Sequence, residues 1–381
     1  MFMADVSIDK FDDRVALGLG QVLWSWQCCD DCQANRRCQS TVCSSYIPQA
    51  KRYLQYYEAL VLDYHDELPL DGQPFKTHGD IWKAISLLTS RPQLTRAEFS
   101  DLISAPSLVP VNHNLLRDAT ALVVKISCMT DCSSLYYSPG RLEDGKMGLV
   151  WANHTPFDKY LQDLFTTQNH PVWSSQYGQS EVLHTRRSRM RATKLKKHLN
   201  LTICPTHEIR DHLRLDTRRN EIKVFHYASF LKANLKAKRK SSAADLLPRQ
   251  LLFEILDSTQ RVIFPLSDAK SRRLLRHLIS NSDYAFDPEI EKFELSILSN
   301  HGEENISYIY LADRLEELFQ ELQSPRPRTW LEEQMQRRSS ARYMMLATLI
   351  GVSFAILLGV LSLILSSVQT WIAYQAWKHQ G

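Results

Sequence analysis

Apolar residues recur at helical spacing along most of the chain. Between residues 48 and 64, Tyr53, Leu54, Tyr57, Leu60 and Val61 fall on one side of a 3.6-residue repeat, which predicts a helix. Ile81, Trp82, Ile85 and Leu88 predict another over 80–89. Thr95 and Glu98 stand at capping-box spacing, with Leu94 ahead and Phe99, Leu102 and Ile103 behind, so a third helix starts there. Residues 112–127 predict a fourth. The period changes over 212–224, where Leu213, Leu215, Ile222 and Val224 alternate with polar residues around a polar loop at 216–220, the pattern of a β-hairpin. Helical spacing returns over 227–236 and 246–263, again after a Ser267 cap through Leu278, and over 313–322.

The last part of the chain follows a different rule. Residues 343–377 contain no Asp, Glu, Lys or Arg. Within 344–365, 13 of 22 residues are Leu, Ile, Val or Phe. A helix of that length rises about 33 Å, enough for a hydrocarbon core of about 30 Å. Thr348, Ser353 and Ser362 can return their hydroxyls to the helix's own carbonyls, so they do not oppose insertion. Arg326, Arg328, Arg337, Arg338 and Arg342 precede the span and only Lys378 follows it, which predicts a cytosolic N-terminal body. The pattern is that of a tail-anchored, single-pass protein. Ala347, Gly351, Ala355 and Gly359 recur every fourth residue and predict a ridge for close helix packing, with a second copy as the expected partner.

These elements predict an α+β class: a mainly helical soluble body with short strands, followed by a single C-terminal transmembrane helix. The expected divisions are a Cys-rich segment at 1–47, a helical domain at 48–140 and an α+β domain at 147–323. A Pro/Arg linker and juxtamembrane helix at 324–342, the transmembrane helix at 343–368 and a short tail at 369–381 follow. The acidic opening, with Asp5, Asp9, Asp12 and Asp13, does not resemble a secretory leader, so reduced thiols are expected.

Composition changes this picture in one place. The net charge of +4 conceals 18 Lys/Arg against 5 Asp/Glu over 184–249. Arg186, Arg187, Arg189, Arg191, Lys194, Lys196 and Lys197 form its densest run. Anionic lipid heads are the favoured functional partner, because the anchor already holds the run near a bilayer. A solvated face is the plain alternative. Interleaved aromatics for base stacking are missing, which disfavours nucleic acid.

Candidate chemistry is sparse. Cys29, Cys32, Cys38 and Cys43 have a spacing similar to a zinc knuckle, and four thiolates would close a tetrahedral structural zinc site. The run lacks the glycines and aromatic residue usual between such ligands, so free or acylated thiols and disulfides stay open. His207 and His212 are five apart, about 140° around a helix, and cannot share a metal as an i, i+4 pair does. No phosphate-binding loop, nucleophile elbow or kinase set occurs, so no catalytic or cofactor-binding residue is assigned. The balance favours a membrane-anchored interaction or scaffold module over an enzyme. The alternatives are a tethered enzyme of unrecognised class drawing on His207, Asp211, His212 and His226, or a nuclear-envelope factor using the basic run. Asn153, Asn200 and Asn305 begin glycosylation acceptor triplets that a cytosolic body leaves unused.

The stretches RDHLRLDTRRNEIKVFHYASFLKANL, LPRQLLFEILDSTQRVIFPLSDAKSRRLLRHLIS, TWLEEQMQRRSSARYMMLATLIGV and GLVWANHTPFDKYLQDLF resemble a family of filamentous-fungal proteins of uncharacterised activity with one C-terminal transmembrane helix. The resemblance runs from about Asn112 onward and implies architecture and a fungal origin. It brings no catalytic residue and no cofactor.

Overall fold

The computed structural model describes residues 6–29, 41–67, 73–105, 112–133, 150–174, 181–238, 246–280, 286–299, 306–324 and 341–378. They group into two compact units, 1–324 and 325–381. The class is α+β, mainly helical, with a small sheet and one long apolar C-terminal helix.

The first unit opens with α1 (Asp13–Trp24), whose N-cap Asp12 accepts the N–H groups of Arg14 and Val15, each at 3.0 Å. Gly18 lets this helix lie against Trp82, since a Cβ there would stand 2.3 Å from the indole. Helix α2 (Thr41–Glu67) carries Pro48 in its interior and so begins earlier than the proline suggests. Thr77 and Asp80 form a capping box for α3 (His78–Ser90). Thr95 and Glu98 do the same for α4 (Arg96–Ser104), as their spacing predicts, with the Thr95 N–H donating to Glu98 at 2.9 Å. Asn112 caps α5 (His113–Cys128). Tyr53 on α2 reaches across to the Ile126 carbonyl on α5, so the two helices share a polar tie as well as apolar packing.

Helices α6 (Phe157–Leu164), α7 (Glu181–Arg189) and α8 (Ala192–Leu199) lead to the sheet. Strand β1 (Thr202–Thr206) pairs in parallel with β3 (Glu221–Phe225), and β2 (Arg214–Asp216) pairs antiparallel on the other side of β3. The β2–β3 hairpin is the one its alternation predicts. Asp216 accepts the N–H groups of Arg218 and Arg219 at 3.0 Å, and Asn220 closes the turn with φ 57°.

Then come α9 (Ala228–Lys238), α10 (Arg249–Asp257), α11 (Ala269–Ser280), the single turn α12 (Leu295–Leu298) and α13 (Ala312–Gln323). Helix α10 does not continue as one helix to Ile263: from Ser258 it widens into a π-turn. Asp268 rather than Ser267 serves the start of α11, accepting from the Lys270 N–H at 3.3 Å and the Ser271 hydroxyl at 2.7 Å. One continuous apolar core joins α1–α5 to the sheet and α9–α13, with Trp24, Tyr53 and Phe230 in mutual ring contact near its middle. The second unit contributes α14 (Ala341–Lys378), 38 residues or about 57 Å of helix.

Candidate functional site

Within α14, residues Thr348–Gln375 form the one helix among the described residues long and apolar enough to cross a membrane, and none of it is buried in protein. Leu349, Phe354, Leu357, Leu363 and Trp371 each expose more than 60% of their surface. Water would charge about 25 cal/mol for each Å² of such apolar area, so this surface calls for a lipid or protein environment. Of the predicted ridge, Gly351 and Gly359 lie on open surface, where a Cβ would meet nothing within 4 Å. Ala355 is exposed between them, and Ala347 lies one turn earlier on the same helix.

The basic run divides into two populations. Arg186 lies over the Phe319 ring, 4.6 Å from its centroid, and ion-pairs with Glu316 of α13. Arg187 lies 5.4 Å over Tyr308 and 3.8 Å from the buried Asp257 carboxylate. Glu316 also accepts from Trp173 Nε1 at 2.9 Å, so these arginines bind α7 to the end of the body. Arg191 and Lys194 are half-buried, while Arg189, Lys196 and Lys197 are exposed.

The histidines and acid considered for an enzyme site fall into three settings: Asp211 between two cations, His207 and His226 in ring contact beside Tyr227, and His212 paired with Ser258. Asp211 binds Lys223 at 2.9 Å and Arg214 at 3.2 Å; burial opposes its charge, but these two cations hold its pKa below the usual carboxylate value. His207 Nδ1 lies 2.6 Å from the Tyr227 hydroxyl, with the Tyr56 ring stacked at 5.5 Å. His226 is fully enclosed, its ring 5.6 Å from those of His207 and Phe286, and its Nδ1 has no hydrogen-bond partner. Burial lowers both pKa values, and Arg52 adds to each, so both imidazoles are neutral at pH 7.

His212 stands at the distance of a catalytic base, its Nε2 2.7 Å from Ser258 Oγ. The polarity is wrong for that role. The Phe225 N–H donates to Nδ1 at 3.1 Å, which leaves the proton on Nε2. Nε2 therefore donates to Ser258, whose hydroxyl donates on to the Ile255 carbonyl at 3.0 Å. A general base would have to accept from the serine. Both side chains are wholly buried, so the pair fastens the turn before β2 to the π-turn after α10.

Two features carry no sequence signal. Glu254 is buried, and its carboxylate accepts the backbone N–H groups of Ile309, Tyr310 and Leu311 at 2.7–2.9 Å. Burial pushes its pKa up to about 7 against those bonds. A cleft of about 420 Å³ between α1, α2 and α9 is lined by Trp24, Trp26, Tyr46, Lys232 and Lys236, among others. Its Lys232 ammonium is held at 2.7 Å by the carbonyls of Glu289 and Lys292 and at 3.3 Å by the Glu289 carboxylate, so no lone pair is free for nucleophilic chemistry. None of the four candidate enzyme residues lines this cleft.

Of the proposed zinc ligands, Cys32 and Cys38 lie outside the described residues. Cys43 is buried and its sulfur accepts the Cys29 N–H at 3.3 Å. Among the described residues, no group of three or more His, Cys, Asp or Glu side chains is placed to hold a metal ion. No family model, no curated protein and no solved structure matches the chain.

Proposed function

We propose that the protein is a tail-anchored, single-pass membrane protein whose body works from the cytosolic face as an interaction module. The observation that carries this reading is the unburied apolar span Thr348–Gln375, together with a core that includes none of its residues. Flanking arginines support the orientation. The polarity of the His212–Ser258 pair and the saturated Lys232 ammonium weigh against the most enzyme-like groups. The ridge of Ala347, Gly351, Ala355 and Gly359 supports pairing of two spans in the bilayer.

Alkaline carbonate extraction and endoglycosidase digestion of the full chain in cell membranes test this together. The expected result is retention in the membrane pellet with no mobility shift. Release by alkali would remove the anchor. A digestion-dependent shift from glycan on exposed Asn153 or Asn200 would invert the topology.

A further inference from the structure

The structure brings a second set of cations beside the basic run, from a helix some seventy residues later. Helices α8 and α11 pack side by side, and Thr193 Oγ1 bridges them, 3.2 Å from the Asp268 carboxylate and 3.3 Å from Ser271 Oγ. Around the bridge the exposed positions of α8 and its approach carry Arg189, Lys196 and Lys197. Those of α11 carry Lys270, Arg273 and Arg276. Asp268 is occupied by the two hydroxyls, Glu291 binds Arg276 at 2.8 Å, and α13, which also packs on α8, carries Asp313, Glu316, Glu317 and Glu321. His198 and His277 are the other exposed titratable groups on α8 and α11. In the turn entering α11, Leu266 exposes 53% of its surface.

We propose that this two-helix basic face docks on anionic phospholipid headgroups of the membrane that holds the span. The proposal rests on the membrane-anchored reading above and adds the partner of the body. Phosphate and carboxylate headgroups offer the negative surface that these exposed cations need, and the cytosolic leaflet is the anionic one. Leu266 supplies an apolar tip able to enter the headgroup boundary. The same features disfavour RNA: neither helix contains Phe, Tyr or Trp for stacking on a base, and an exposed leucine gains nothing from a phosphate backbone.

The test is hydrogen exchange of the full chain in nanodiscs of phosphatidylcholine alone or with phosphatidylserine. Peptides covering α8 and α11 are expected to exchange about tenfold more slowly in the anionic discs, and to lose that protection in high salt. The triple variant Lys196→Glu, Lys197→Glu, Arg273→Glu changes only exposed side chains, and it should remove the protection while leaving exchange in α2 and α5 unchanged. Equal exchange in both discs, with the chain inserted, would overturn the docking face but leave the anchor intact. Failure to enter any disc would overturn both. Protection by polyuridylate in neutral discs, without protection by phosphatidylserine, would reassign the face to nucleic acid.

Discussion

His212 and Ser258, 46 positions apart, are joined at 2.7 Å in a fully buried relay that starts at the Phe225 N–H and ends on the Ile255 carbonyl. The relay requires a neutral imidazole, and burial, reinforced by Arg314, lowers the His212 pKa to about 3. The folded value lies below the unfolded one, so the contribution of His212 is complete above about pH 6.5 and is lost as pH falls toward 3. Replacing His212 with Gln should cost about 1–3 kcal/mol at pH 7.5. The gap between the two proteins should narrow by about 2 kcal/mol at pH 5, because only the wild type pays to keep this site deprotonated. Urea unfolding of both full chains in detergent, followed by tryptophan fluorescence, measures it; a gap that widens in acid would refute the neutral assignment.

Glu254 should behave with the opposite sign. Its folded pKa, about 7, is raised by burial above the ordinary carboxylate value, so the folded state holds the proton more tightly. Its stabilising contribution is present at low pH and declines as pH rises through 7. Glu254→Gln cannot titrate, so its deficit against the wild type should be largest, about 1–3 kcal/mol, near pH 5, where Glu254 holds its proton. The same unfolding measurement should show that deficit shrinking toward pH 8, and a pH-independent deficit would count against the raised value.

The ion pair of Arg186 with Glu316 predicts a local effect. Glu316→Ala removes the acceptor of both Arg186 and Trp173 Nε1, leaving one half-buried and one buried donor without it, and should lower stability by about 2–4 kcal/mol. Arg189→Ala, on the exposed side of the same helix, should change it by less than about 0.5 kcal/mol. Thermal melts of the two variants decide between these roles; equal effects would erase the distinction.

For the span, the open surface at Gly351 and Gly359 predicts a packing face. Changing both to Leu should abolish self-association in a membrane two-hybrid assay while leaving insertion unchanged. Undiminished association would place the contact on another face or remove it.

What could be read from the sequence was local. The Thr95–Glu98 box and the β2–β3 hairpin are specified by residues within a few positions of each other, and both form where their patterns put them. Strand β1 escaped because its partner is β3, to which it runs parallel, and Pro205 masks its alternation. The π-turn escaped because Val262 and Ile263 continue the apolar spacing of α10 without showing the extra residue in the turn. Composition located the basic run but could not divide it. Whether an arginine points to solvent or lies over Phe319 or Tyr308 depends on rings more than a hundred residues later. The packing of α11 beside α8 was invisible for the same reason.

The ties on α13 have a mechanical meaning. This helix is the last described element of its unit, so a pull on residue 324 would enter the unit through it. Glu316 gathers Arg186 and Trp173, and Arg314 donates to the His212 carbonyl at 2.7 Å, so side-chain bonds tie the helix to three separate stretches of the unit. Loosening of the helix would meet that clasp first, and the turn before β2 would feel it through the His212 carbonyl.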